Sequence, residues 1–126
     1  MLKLLSGSES AIIILNEIYG INQHIEEVCQ KYADKGFDIY CPNLLSYTAP
    51  YDYSEQEEAY RAFNLQSWNQ LYKQVKDLAT DLRMKYEKII VIGFSVGATI
   101  AWLLAEDKIC DGIIAYYGSR IRDHLD

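Results

Sequence analysis

No stretch of this sequence is apolar enough to cross a membrane. The run AIIIL at 11–15 meets Asn16 and Glu17 at once, far short of the ~20 residues that a spanning helix needs. The N-terminus does not resemble a secretory signal, so cytoplasmic residence is expected. Cysteine is sparse: Cys29, Cys41 and Cys110 cannot all pair and have no metal-ligand spacing. A disulfide framework is therefore not expected, nor is a metal or organic cofactor, and the thiols read as small core hydrophobes. Positive charge is in deficit. Lys and Arg number 12 against 18 Asp and Glu, a formal net charge of −6, which disfavours nucleic acid and anionic membrane as partners. Internal repeats and low-complexity tracts are absent too, and 126 residues make one domain spanning 1–126.

What is present alternates between two periodicities. A short apolar start at 1–5 and a Ser/Gly turn lead into a continuous apolar, β-branched strand at 11–15, which suggests cover on both faces. Asn22 is placed to cap a helix whose apolar residues Ile25, Val28, Cys29, Tyr32 and Ala33 recur at helical spacing up to Gly36. Residues 37–41 form a second strand halted by Pro42. The loop after it carries Tyr47, Tyr51 and Tyr53, which line a pocket mouth or cover a sheet edge, and Ser54 with Glu57 reads as a capping box. A longer helix is predicted from Leu65, with Trp68, Leu71, Tyr72, Val75, Leu78, Ala79 and Leu82 on one stripe. A strand at 88–93, a helix after Ser95 and a strand at 112–117 complete an α/β pattern, for which a parallel sheet with right-handed crossovers is expected.

Residues 88–105, KIIVIGFSVGATIAWLLA, deliver Ser95 between strand and helix within Gly-x-Ser-x-Gly. That context reads as a nucleophile elbow, in which Gly93 and Gly97 remove side chains that would block a tight, strained turn and the hydroxyl is forced outward. The alternative is a glycine-rich turn with an idle serine.

Residues 11–45, AIIILNEIYGINQHIEEVCQKYADKGFDIYCPNLL, resemble the dienelactone hydrolase family of the α/β-hydrolase fold. The similarity lies in Asn16-Glu17-Ile18-Tyr19-Gly20, in Gly93-Phe94-Ser95-Val96-Gly97 and in Ala115-Tyr116-Tyr117-Gly118. It implies a three-layer parallel sheet with helices on both faces. Strand 37–41 would lie outside strand 11–15, with 88–93 and then 112–117 on the other side, and ligands would bind where the order reverses. It implies ester or lactone cleavage, with Ser95 as nucleophile and the backbone N–H groups of Ile18 and Val96 as the oxyanion hole. The family places a carboxylate, here Glu17, beside a nucleophile that is usually cysteine. A serine ionises far less readily than a thiol, so it has more need of a histidine base. The alternative for Glu17 is a carboxylate that merely caps the loop or the following helix. Arg61 lies where family members place a basic residue for an anionic substrate, or else balances Glu57 and Glu58 on its own helix.

In this fold the acid and the histidine follow the nucleophile on later loops, yet only 31 residues follow Ser95. The pattern therefore reads as C-terminally truncated, and the short chain is expected to be weak or inert. His124, beside Asp123 and Asp126, reads as a tail histidine rather than a base, and His24 as a polar first-turn residue. Strand 112–117 would be left as an uncovered apolar edge, from which self-association or pairing with another chain is expected. A noncatalytic module keeping the crevice for ligand or partner binding is the competing reading, and a site completed by a neighbouring copy is a third.

Overall fold

A computed structural model describes residues 1–44 and 50–116. The strands are β1 (Leu2–Leu4), β2 (Ser10–Leu15), β3 (Asp38–Cys41), β4 (Lys88–Phe94) and β5 (Gly112–Tyr116). The helices are α1 (Gln23–Asp34), α2 (Gln56–Asn64), α3 (Trp68–Arg83) and α4 (Val96–Ala105), with a single 3₁₀ turn at Tyr53–Glu55 ahead of α2. Tyr47, Tyr117 and the tail bearing His124 lie outside the described residues.

The strand order is β1-β3-β2-β4-β5, and the four strands β3, β2, β4 and β5 run parallel, in the expected arrangement. Alternate residues of β2 serve opposite layers. Ile12 and Ile14 pack with Ile25 and Cys29 of α1, whereas Ala11, Ile13 and Leu15 pack with Phe63, Val75, Ala79, Ile100 and Leu104 from α2, α3 and α4. Each such aliphatic side chain, taken fully out of water, contributes roughly 1.5–3 kcal/mol. Helices thus cover both faces, which is why β2 could be apolar throughout. Cys29 and Cys41 are buried within the α1 layer, hydrogen-bonded to each other and without a disulfide.

The sheet departs from an all-parallel one at its rim. The apolar start of the chain forms β1, which pairs antiparallel with β3 through Leu2↔Cys41 and Leu4↔Ile39. The link to β2 is too short for the crossover that a parallel placement requires, and it turns at Gly7 with φ 82°. Two helix starts also differ from expectation. The capping box is Asp52 with Glu55, not Ser54 with Glu57: the Glu55 carboxylate accepts from the Asp52 N–H at 2.9 Å. The long helix begins at Trp68 rather than Leu65, because the Ser67 hydroxyl caps it by accepting from the Gln70 N–H at 3.3 Å. Leu65 instead ends α2 and is 84% exposed.

Behind the elbow, the Thr99 hydroxyl of α4 is fully buried without a hydrogen-bond partner among the described residues. An unmet buried hydroxyl costs about 1–3 kcal/mol. Thr99→Val keeps the shape and removes the unmet group, so it is expected to stabilise the protein by about 1 kcal/mol, read as a melting temperature a few degrees higher. A lower melting temperature would show that the hydroxyl is satisfied after all.

Candidate functional site

The site lies at the carboxyl ends of β2 and β4. These neighbours run parallel with Leu15 opposite Gly93, so Glu17 and Ser95, each two residues beyond its register partner, leave the sheet side by side. Ser95 adopts φ 55° and ψ −115° as the residue ahead of α4. Only glycine visits such a backbone region without strain. Main-chain bonds hold it there: the Ser95 N–H donates to the Tyr116 carbonyl at 2.7 Å, and its own carbonyl accepts from Ala98 at 3.0 Å and Thr99 at 3.3 Å. The side chain does not cap the helix, is partly exposed, and has no hydrogen-bond partner among the described residues.

The two flanking glycines act at longer range than the turn itself. A Cβ on Gly93 would fall onto the Gly97 carbonyl, and one on Gly97 would lie 2.6 Å from the Leu15 carbonyl oxygen. Glycine at both positions lets the first turn of α4 rest directly on the ends of β4 and β2.

The facing loop is anchored by Asn16, which is fully buried at the end of β2. Its Nδ2 donates to the Glu17 carbonyl at 2.6 Å, and its Oδ1 accepts from the Leu44 N–H at 3.2 Å. The Gly20 N–H, in a turn where Gly20 has φ 85°, donates to the same Glu17 carbonyl at 3.2 Å. In a trans peptide the next N–H points opposite to the carbonyl, so the Ile18 N–H is turned away from these bonds. The same reasoning applies at the elbow, where the Ser95 carbonyl is taken up inside α4 and the Val96 N–H faces out of the helix start. Neither N–H has an acceptor among the described residues.

Glu17 is half-buried, and its Oε1 accepts from the Tyr53 hydroxyl at 3.3 Å. Tyr53 meets the Tyr19 ring edge to face at 4.7 Å, and the Tyr51 N–H donates to the Tyr19 carbonyl at 2.8 Å. Partial burial, and next the Glu17 charge, push both the Tyr19 and Tyr53 phenols above their ordinary range, so they stay protonated donors at neutral pH. Tyr51 and Tyr53 also line a cleft of about 250 Å³ with Asn22, Gln23, His24 and Asp52. His24 packs edge-on against Phe94 at 5.1 Å, and Phe94 stacks on Tyr116 at 5.1 Å. Asn22 caps α1 as expected, accepting from the Ile25 N–H at 3.1 Å.

Ser95, Val96, Glu17 and Ile18 are therefore brought to one end of two adjacent strands. Arg61 is exposed on α2, half a turn from the buried Ala59 and Phe63, and pairs with neither Glu57 nor Glu58 among the described residues. Sequence reasoning passed over Asn16 as an anchor, although an amide closing a wholly apolar strand was its signal. It also gave Tyr53 only a place at a pocket mouth or over a sheet edge. At the far edge, β5 has a strand partner on one side only among the described residues, and Ile114 and Tyr116 are each 40% exposed.

The family model described as dienelactone hydrolase family matches residues 4–126. A Bacillus subtilis protein, YczH, is 37% identical over 119 residues, covering 90% of this chain and 56% of its own length. The carboxymethylenebutenolidase of Pseudomonas putida is 27% identical over 129 residues, covering 90% of this chain and 52% of its own length. Among solved structures, a Klebsiella pneumoniae protein described as a proposed dienelactone hydrolase shares the fold with a TM-score of 0.67 at 20% identity, over 87% of this chain and 48% of that one. The chain thus spans about half the length of the relatives it matches. With the family model matched over residues 4–126, the chain belongs to the dienelactone hydrolase family.

Proposed function

We propose that this chain carries the nucleophile half of a site that cleaves an ester or lactone by acyl transfer to Ser95. The observation that carries the reading is the Ser95 backbone at φ 55° at the start of α4, with its hydroxyl and the Ile18 and Val96 N–H groups all without hydrogen-bond partners among the described residues. In this scheme Oγ attacks the carbonyl carbon, and the Ile18 and Val96 N–H groups receive the oxygen as it becomes anionic. The alcohol then leaves, with the acyl group held on Ser95. Glu17 lies beside the nucleophile, with its carboxylate held by Tyr53 rather than by a base. Arg61 does not enter the scheme.

No described side chain is hydrogen-bonded to Oγ, so the proton acceptor that a serine nucleophile needs is not in place among the described residues. The expected behaviour is slow acylation by strongly activated reagents and weak turnover of ordinary esters. Incubation with a neutral alkyl fluorophosphonate is expected to add one phosphonyl group per chain, located at Ser95 by peptide mass spectrometry and absent from Ser95→Ala. An intact chain after prolonged incubation, or an adduct elsewhere, would remove the nucleophile and favour a noncatalytic binding module on the same fold.

A further inference from the structure

Two thiols that the acyl-transfer scheme does not use meet beneath α1. Cys29 lies on the buried face of α1 and Cys41 is the last residue of β3, and both are fully shielded from solvent. Their side chains are hydrogen-bonded to each other within the apolar cluster that holds Ile12, Ile25, Ile39 and Phe94. The Cys41 S–H is the donor. That bond holds the Cys29 thiol below its ordinary range against the burial that opposes it, and the same bond, with burial, pushes Cys41 upward. The pair is therefore unequal: Cys29 is the sulfur that ionises and attacks, and Cys41 the one that resolves. Cys110 can replace neither. It packs with the opposite layer, where burial and then the Asp111 charge lift its thiol to about 11.

Any small hydrophobe would fill the α1 layer at these two positions. Thiols in contact across two elements can do more, because sulfurs already touching need only close to about 2.05 Å to bond. We propose that Cys29 and Cys41 form a reversible disulfide when a small hydroperoxide reaches them, stapling α1 to the carboxyl end of β3. The Cys29 thiolate attacks the outer peroxide oxygen, the O–O bond breaks, and an alcohol or water leaves with the proton that Cys29 gave up. Cys29 is then a sulfenic acid. The Cys41 sulfur attacks the Cys29 sulfur, the S–S bond forms, the S–O bond breaks, and hydroxide departs with the Cys41 proton as water. Two thiols lose two electrons and the peroxide gains them. The way in is the rim of the sheet. Cys41 stands in register with Leu2 of β1, and a terminal strand of three residues opens more readily than the strands behind it. Ser95 takes no part in this chemistry.

The test uses the intact chain, reduced and then treated with hydrogen peroxide. It is quenched with iodoacetamide in denaturant and digested with trypsin, which cuts after Lys31 and Lys35 between the two cysteines. The peptides bearing Cys29 and Cys41 are expected to emerge as one linked pair, with Cys110 alkylated and with the link lost after dithiothreitol. Closing a ring from residue 29 to residue 41 restrains the unfolded chain, so the oxidised form is expected to melt roughly 5–10 °C higher. The same treatment in urea, where the α1 layer is gone, is expected to scatter links over all three cysteines. In Cys41→Ser, which keeps a hydroxyl donor beside Cys29, dimedone is expected to mark Cys29. Cys29 and Cys41 both alkylated after peroxide, a 29–41 link no more favoured in the folded chain than in urea, or a lower melting temperature in the linked form would each overturn the proposal. An unmarked Cys29 in folded, peroxide-treated Cys41→Ser would overturn its place as the attacking sulfur.

Discussion

Replacing Ser95 with glycine is expected to abolish phosphonylation and, at the same time, to make the protein more stable than Ser95→Ala by about 1 kcal/mol. The chemical half follows from removing the Ser95 hydroxyl. The stability half follows from the backbone, since φ 55° with ψ −115° is a glycine region that a residue with a Cβ occupies at about 1–3 kcal/mol of strain. Glycine removes the strain but widens the unfolded ensemble, a loss of roughly 0.4–1 kcal/mol, so the net gain is smaller than the strain. Alanine retains the Cβ and therefore the strain, which makes it the proper reference. Urea unfolding of the two variants reads the difference directly. If glycine proved the less stable of the pair, the elbow would be unstrained, and the inference that evolution tolerates a cost to present this hydroxyl would fall.

That cost was partly visible in the sequence, because the elbow is a local feature. A β-rich run ending in glycine, one serine and a small-residue helix lie within residues 88–105, and nothing distant is needed to see them. The α1 stripe and the strands β2 and β3 were legible for the same reason: their periodicity reports which faces are covered. Other features depend on partners far along the chain. The direction of β1 is set by pairing with β3, nearly forty residues away. Asn16 matters because its amide reaches Leu44, and Glu17 because Tyr53 folds back onto it across 36 residues. The start of α3 shows a subtler failure. Leu65 fits the apolar spacing of that helix, but Ser67 supplies a cap two residues later and the local hydrogen bond outweighs the pattern.

The largest stability effect is expected at Gly97, where the ordinary sign of a substitution reverses. Within a helix, glycine to alanine normally stabilises by about 1 kcal/mol through helix propensity. Here the added Cβ would lie 2.6 Å from the Leu15 carbonyl oxygen and 2.8 Å from its carbonyl carbon and Cβ. Neither partner is the free end of a flexible side chain. Leu15 is a fully buried residue in the middle strand of five, bonded in register to Gly93, so relief requires α4 to lift from the sheet. Gly97→Ala is accordingly expected to destabilise by about 3 kcal/mol or more, the range of severe overpacking. Gly93→Ala should behave alike, since its Cβ would fall on the Gly97 backbone. The control is Gly112→Ala, where the new Cβ would meet only Ile90 Cγ1 at 3.9 Å and stability should hardly change. Lifting α4 also swings the Val96 N–H away from the loop bearing Ile18, so any Gly97→Ala protein that still folds should phosphonylate far more slowly than the parent. If it were as stable as the parent and reacted at the same rate, the contact between helix and strand would not be what aims the elbow.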